Sequence, residues 1–150
     1  MRNKRNLLIL AEGKEAKRVE EIVRALQPTL RNCFKYNQTH VVDNFQKALA
    51  LLNANQHKIP NITDLICGYD IPTTPQQKGE RIPTSHLIRK LDEDAVVGLH
   101  VPELKPQQFY HKGKMLYLKK REKDFQNSSS YLINVINPLA RLLGFPSIYF

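Results

Sequence analysis

An apolar run, Leu65 to Tyr69, ends abruptly at Pro72 and Pro75 within the stretch Asp64 to Gly79. That pattern reads as a buried strand running into a loop. In open α/β sheets, ligands and reacting groups sit at the carboxyl ends of the strands. Gly68, Tyr69 and Asp70 occupy such an end. Two charged residues close other apolar runs: Glu12 follows Asn6 to Ala11, and Lys120 follows Met115 to Lys119. A carboxylate at a strand end can ligate a cation, or simply face a helix N-terminus, where negative charge is favourable. A lysine there can hold an anion, or pair with Glu12 or Asp70. His100 is read first as a hydrogen-bonded structural histidine, with a pH-sensitive role as the sharper alternative. The five histidines, at 40, 57, 86, 100 and 111, show no metal-ligand spacing. Two cysteines, Cys33 and Cys67, make neither a disulfide framework nor a metal pair.

The elements that must position these residues follow from periodicity. Asn6 to Ala11 lacks alternation, as expected of a strand buried on both faces. Glu15 to Leu26 places Ala16, Val19, Ile22, Val23 and Leu26 at helical spacing, and Pro28 should end that helix. Phe34 to Val42 is a more polar strand suited to an edge. Asn44 to Ala54 is helical, and Ile62 to Tyr69 is the third strand. A Pro-rich loop, Ile71 to Pro83, leads to a short helix, Thr84 to Leu91. Ala95 to Val101 is the fourth strand, and Glu103 to His111 a weak helix damaged by Pro106. Met115 to Lys119 is the fifth strand. Ser128 to Leu143 is the last helix, with serines as caps and Pro138 as a kink. Strands alternating with helices argue for a parallel sheet covered on both faces.

At 150 residues the chain is expected to be one domain, 1–150, with a sizeable core. Its apolar stretches are far too short for a membrane span, and no apolar block follows the basic start as a signal peptide requires. No membrane association and a cytoplasmic location are therefore expected. A net charge of +9 favours acidic partners, nucleic acid or anionic surfaces.

Several segments resemble bacterial response-regulator receiver domains. Asp64-Leu65-Ile66, then Tyr69, Ile71 and Pro72, follow the pattern of the strand that carries the phosphoryl-accepting aspartate. Val42-Asp43-Asn44 with Lys47-Ala48-Leu49, Pro75 with Gly79, and Gly113, Tyr117, Leu118 and Lys120 match further family segments in order and spacing. The resemblance implies a flavodoxin-like, five-stranded parallel sheet of order 2-1-3-4-5 with helices on both faces. It also implies where the active set would lie. The paired metal-binding acids become Ala11 and Glu12, the acceptor becomes Gly68, the Thr/Ser position holds His100, and Lys120 alone is kept. Phosphoryl transfer needs metal and lysine to neutralise developing charge, and Gly68 has no nucleophile. In a register slid by two residues, Asp70 would be the acceptor. The expectation is a pseudo-receiver: a signalling module without catalysis, metal or cofactor, working through a protein partner.

Leu7 to Lys14 is also similar to the start of a Toprim domain, where an apolar strand ends in Glu-Gly-Lys, here Glu12-Gly13-Lys14. Such domains bind their metal through further carboxylates, and Gly68-Tyr69-Asp70 retains only one. The resemblance to receivers implies a docking or homodimer face formed by the fourth helix, fifth strand and fifth helix. Tyr117, Lys119 and Arg121 are candidates for partner contact there. Basic residues crowd this region, but no nucleic-acid motif or stacking platform accompanies them. The last helix carries Tyr131, Leu132, Val135, Ile136, Leu139 and Leu142, more apolar positions than one buried stripe needs, so some are expected at the surface.

Overall fold

A computed structural model describes residues 5–54, 62–75, 79–101 and 113–149. Five parallel strands form one sheet: β1 (Arg5–Leu10), β2 (Tyr36–Val42), β3 (Asp64–Cys67), β6 (Val96–Val101) and β7 (Lys114–Lys119), in the order β2-β1-β3-β6-β7. The architecture is flavodoxin-like. Two further short strands, β4 (Asp70–Pro72) and β5 (Arg81–Pro83), make an antiparallel hairpin where a plain loop was expected. Ile71 opposite Ile82 supplies its apolar pair, and Thr73 N–H donates to the Glu80 carbonyl at 2.9 Å.

One face of the sheet is covered by α1 (Gly13–Cys33) and the C-terminal helical run. The other is covered by α2 (Phe45–Ala54) and α3 (Ser85–Ile88). The alternation of strand side chains divides the core accordingly. Leu7, Ile9 and Ile66 point to the first face, and Leu8, Leu10 and Leu65 to the second.

Pro28 does not end α1. The helix runs on to Cys33, and Lys35 then turns the chain with a left-handed φ of 62°. Proline inside a helix costs about 3 kcal/mol. Here the fully buried Leu30 and Phe34 beyond it anchor the extra turn, so burial outweighs local propensity.

The C-terminal run is α4 (Ser128–Tyr131), a π-helical turn Leu132–Ile136, and α5 (Asn137–Arg141). The wide turn precedes Pro138, whose missing N–H breaks the regular ladder, and Asn137 N–H reaches back to the Leu132 carbonyl. The cap is Asn127, not a serine: its side chain accepts from Ser130 N–H at 2.8 Å. Tyr131, Leu132, Val135, Ile136 and Leu139 are all buried and Leu142 is half-buried. The expected apolar surface on this helix is therefore not there. The helix lies close to the sheet because Gly98 has no side chain: a Cβ there would meet Leu139 Cδ1 at 3.2 Å and Leu118 Cδ1 at 3.3 Å. The helix candidate at Glu103 to His111 lies outside the described residues.

Candidate functional site

At the carboxyl edge of the sheet, a cleft of about 250 Å³ opens between the ends of β1, β3, β6 and β7. The structure brings Ala11, Glu12, Gly68, Asp70, His100 and Lys120 together around it. Ala11 and Glu12 follow β1, Gly68 follows β3, His100 lies within β6, and Lys120 follows β7. Asp70 is two residues further along, as the first residue of the hairpin. Gly68 is not demanded by backbone conformation. Its φ lies outside the left-handed region, and a Cβ would meet only the His100 carbonyl oxygen, at 3.8 Å. A Cβ would fit at this position.

Two residues that sequence reasoning did not single out control the charge. Arg81, on β5, forms a fork across the mouth of the cleft. Nη1 and Nη2 donate to Glu12 Oε2 at 3.0 Å and Oε1 at 2.9 Å, and Nε donates to Asp70 Oδ1 at 2.8 Å. Bidentate pairing of this kind matches the planar guanidinium to the carboxylate. The bonds to Glu12, and then those to Asp70, raise the Arg81 pKa and hold it charged. Glu15, in the first turn of α1, takes Lys120 at 3.0 Å. Lys120 thus pairs with neither Glu12 nor Asp70. Three carboxylates against two cations leave the cleft with a formal charge of −1.

Glu12-Gly13-Lys14 has a conformational explanation. Gly13 opens α1 with a φ of +61°, a value glycine adopts without strain.

His100 is 8% exposed, and neither ring nitrogen has a hydrogen-bond partner. It does not make the hydrogen bonds expected of a structural histidine. Instead the ring packs at 5.4 Å, tilted, against Phe125, which in turn packs at 5.7 Å against Tyr131. Lys120 Nζ sits over Phe125, 5.8 Å from its centroid. Burial first, and then the nearby Lys120 charge, push the His100 pKa down to about 4. The imidazole is therefore neutral at pH 7.

Beneath the cleft, Thr84 ties the end of β3 to the start of α3. Its hydroxyl donates to the Gly68 carbonyl at 2.6 Å and also lies 3.1 Å from the Tyr69 carbonyl. Thr84 N–H donates to that Tyr69 carbonyl at 2.8 Å. Burial raises the Cys67 thiol to about 12, so Cys67 is a core residue and no nucleophile.

The candidate docking residues lie on and just past β7. Tyr117 is half-buried against the core of the α2 and α3 face, whereas Lys119 and Arg121 are exposed. Lys114, the first residue of β7, donates to the Leu142 carbonyl at 2.6 Å. The fourth helix that would complete the expected face falls outside the described residues.

Compared with protein-family models, curated proteins and solved structures, the chain matches none. Among the described residues, no group of three His, Cys, Asp or Glu side chains is arranged to hold a metal ion. No helix among them is long and apolar enough to cross a membrane.

Proposed function

We propose that this protein is a receiver-like signalling module that works by protein–protein contact, without phosphoryl transfer. The observation that carries the reading is the Arg81 fork. Phosphoryl transfer at such an edge needs free carboxylates for a divalent cation and a nucleophile facing it. Here an internal guanidinium already occupies both Glu12 and Asp70. The position at the end of β3 is glycine. A cation tethered to the hairpin stands where an exchangeable one would be required. The same pairing weighs against Asp70 as an acceptor and against a Toprim-like reading, since both need Asp70 or Glu12 available to metal. Exposed Lys119 and Arg121 are the residues assigned to partner contact.

The test is incubation with acetyl phosphate, and separately beryllofluoride, in the presence of Mg²⁺. Intact mass and amide spectra should stay unchanged. A phosphoryl adduct mapped to Asp70, or Mg²⁺ binding lost in Glu12→Ala, would overturn the reading. Charge reversal at Lys119 and Arg121 should weaken partner association and its salt dependence while the fold is kept.

A further inference from the structure

We infer that β2 is a homodimerisation edge, on which a second copy of this chain adds its own β2 antiparallel to form a continuous ten-stranded sheet. The inference is independent of the cleft. β2 is an outer strand of the sheet and, among the described residues, pairs with β1 alone. An exposed strand edge is a template for pairing, and proteins that stay monomeric blunt it with lysine, proline, a bulge or a covering element. The other outer strand, β7, begins and ends in lysine, at Lys114 and Lys119. β2, Tyr-Asn-Gln-Thr-His-Val-Val, has no proline and no formal charge, since burial keeps the pKa of His40 below its ordinary value. The register of β2 against β1 shifts at Asn37, and the regular stretch from Gln38 to Val42 offers about 17 Å of pairing edge.

The surroundings admit a strand. A groove of about 650 Å³ runs along β2 between α1 and α2, lined in part by Val23, Val41, Val42 and Leu51. Thr39, the central residue of β2, also lines it, and the Thr39 hydroxyl is buried without a hydrogen-bond partner. Buried hydroxyls are normally satisfied. A two-fold axis through Thr39 places Thr39 opposite its own mate, and after rotation about χ1 the two hydroxyls can bond each other, a favourable cross-strand pair. Gln38 then faces His40 of the second copy. Within one chain, Gln38 Oε1 and His40 Nε2 are already 3.1 Å apart, so these groups suit each other. The same axis reverses α1, bringing Glu20 of one copy toward Arg24 of the other; both line the groove. Lys47 on the opposite wall is matched within its own chain by Asp43 at 3.3 Å. Such self-complementarity is what an isologous interface requires.

The experiment is sedimentation velocity over a concentration series on the wild type, Thr39→Lys and Asn37→Lys, with circular dichroism to verify folding. Asn37 is exposed, so its variant keeps the test valid if Thr39→Lys does not fold. The wild type should dimerise. Each folded variant should dissociate at concentrations about tenfold higher or more, because Thr39→Lys sets two ammonium groups face to face and both variants place charge on the edge. As a positional test, Thr39→Cys in a Cys33→Ser background should form a dimer on oxidation with diamide, since directly opposed strand residues have α carbons about 4.5–5.5 Å apart, within the span a disulfide bridges. Lys119→Cys in the same background should not. A wild type that is monomeric throughout, a dimer indifferent to both lysine variants, or crosslinking at position 119 in place of 39 would each overturn the inference.

Discussion

Replacing His100 with leucine should remove part of the protein's sensitivity to acid. In the folded chain the imidazole is buried, lacks hydrogen-bond partners, packs on Phe125 and has the Lys120 charge nearby. It takes a proton only near pH 4, whereas the unfolded chain takes one near 6.5. Between those values the unfolded state binds more protons, so stability falls as pH falls. The loss begins below the unfolded value and levels off below the folded one. Its slope approaches about 1.4 kcal/mol per pH unit, so the whole span amounts to about 3 kcal/mol. Marginal stabilities of roughly 5–15 kcal/mol make this a large share. Leucine is apolar and of similar bulk, and it removes both unpaired nitrogens. At neutral pH its effect should therefore be small. The assay is urea denaturation of both proteins at pH about 7, about 5.5 and about 4.5. Taking the difference between the proteins cancels the carboxylates, which titrate in both. The variant should gain about 2 kcal/mol relative to wild type across that range. Parallel loss of stability in the two proteins, or a His100 resonance titrating near 6.5, would refute the argument.

Two further outcomes follow from the ion pairs. Arg81→Gln should cost about 1 kcal/mol or less, because the side chains of Arg81, Glu12 and Asp70 are 36%, 46% and 49% exposed and water screens them. Its clearer sign is hydrogen exchange: amides of β4 and β5 should exchange faster than in wild type, and added salt should accelerate them in wild type only. At the opposite edge of the sheet, the buried Asp64 accepts hydrogen bonds from Tyr36 and Arg5. Burial nevertheless raises its pKa, so the folded state holds the proton more tightly and stability declines as pH rises from 3.8 toward the folded value. Asp64→Asn should abolish that decline, because the amide carries no titrating proton. Denaturant curves against pH test both statements.

The sheet was legible because its signals are redundant. Apolar runs such as Leu7 to Leu10 and Val96 to Val101 have no alternation, and only burial on both faces accommodates them. The hairpin was not legible. β4 and β5 are three residues each, two of those six are prolines, and the Ile71–Ile82 pair joins residues eleven apart in sequence. No local period exists in so short a strand. Pro28 misled for a different reason. A proline is a local signal for ending a helix, while the burial of Leu30 and Phe34 is a tertiary fact. The surface expected on the last helix failed likewise. The sheet face, α1 and the C-terminal segment through Ile148 surround it, and Asn137 bonds Ile148 at both its N–H, 3.1 Å, and its carbonyl, 2.7 Å.

The residues around the cleft could be listed from strand ends, but their pairing could not. Glu12 and Asp70 looked like partners for Lys120 because all three lie at carboxyl ends of strands. Arg81 reaches both carboxylates only because the hairpin folds its strand back over the cleft, and its pairing with Glu12 spans 69 residues. Lys120 is then left to Glu15, one turn into α1. This makes Arg81, more than Gly68, the residue that decides the chemistry of the cleft. Gly68 has room for a Cβ, which would meet only the His100 carbonyl oxygen at 3.8 Å. Gly68→Asp alone would still face a guanidinium already bound to Glu12 and Asp70, and would have no second acid at Ala11. It should therefore take up no phosphoryl group from acetyl phosphate. If mass spectrometry showed that single variant phosphorylated, Arg81 would not be acting as the internal substitute for a metal ion.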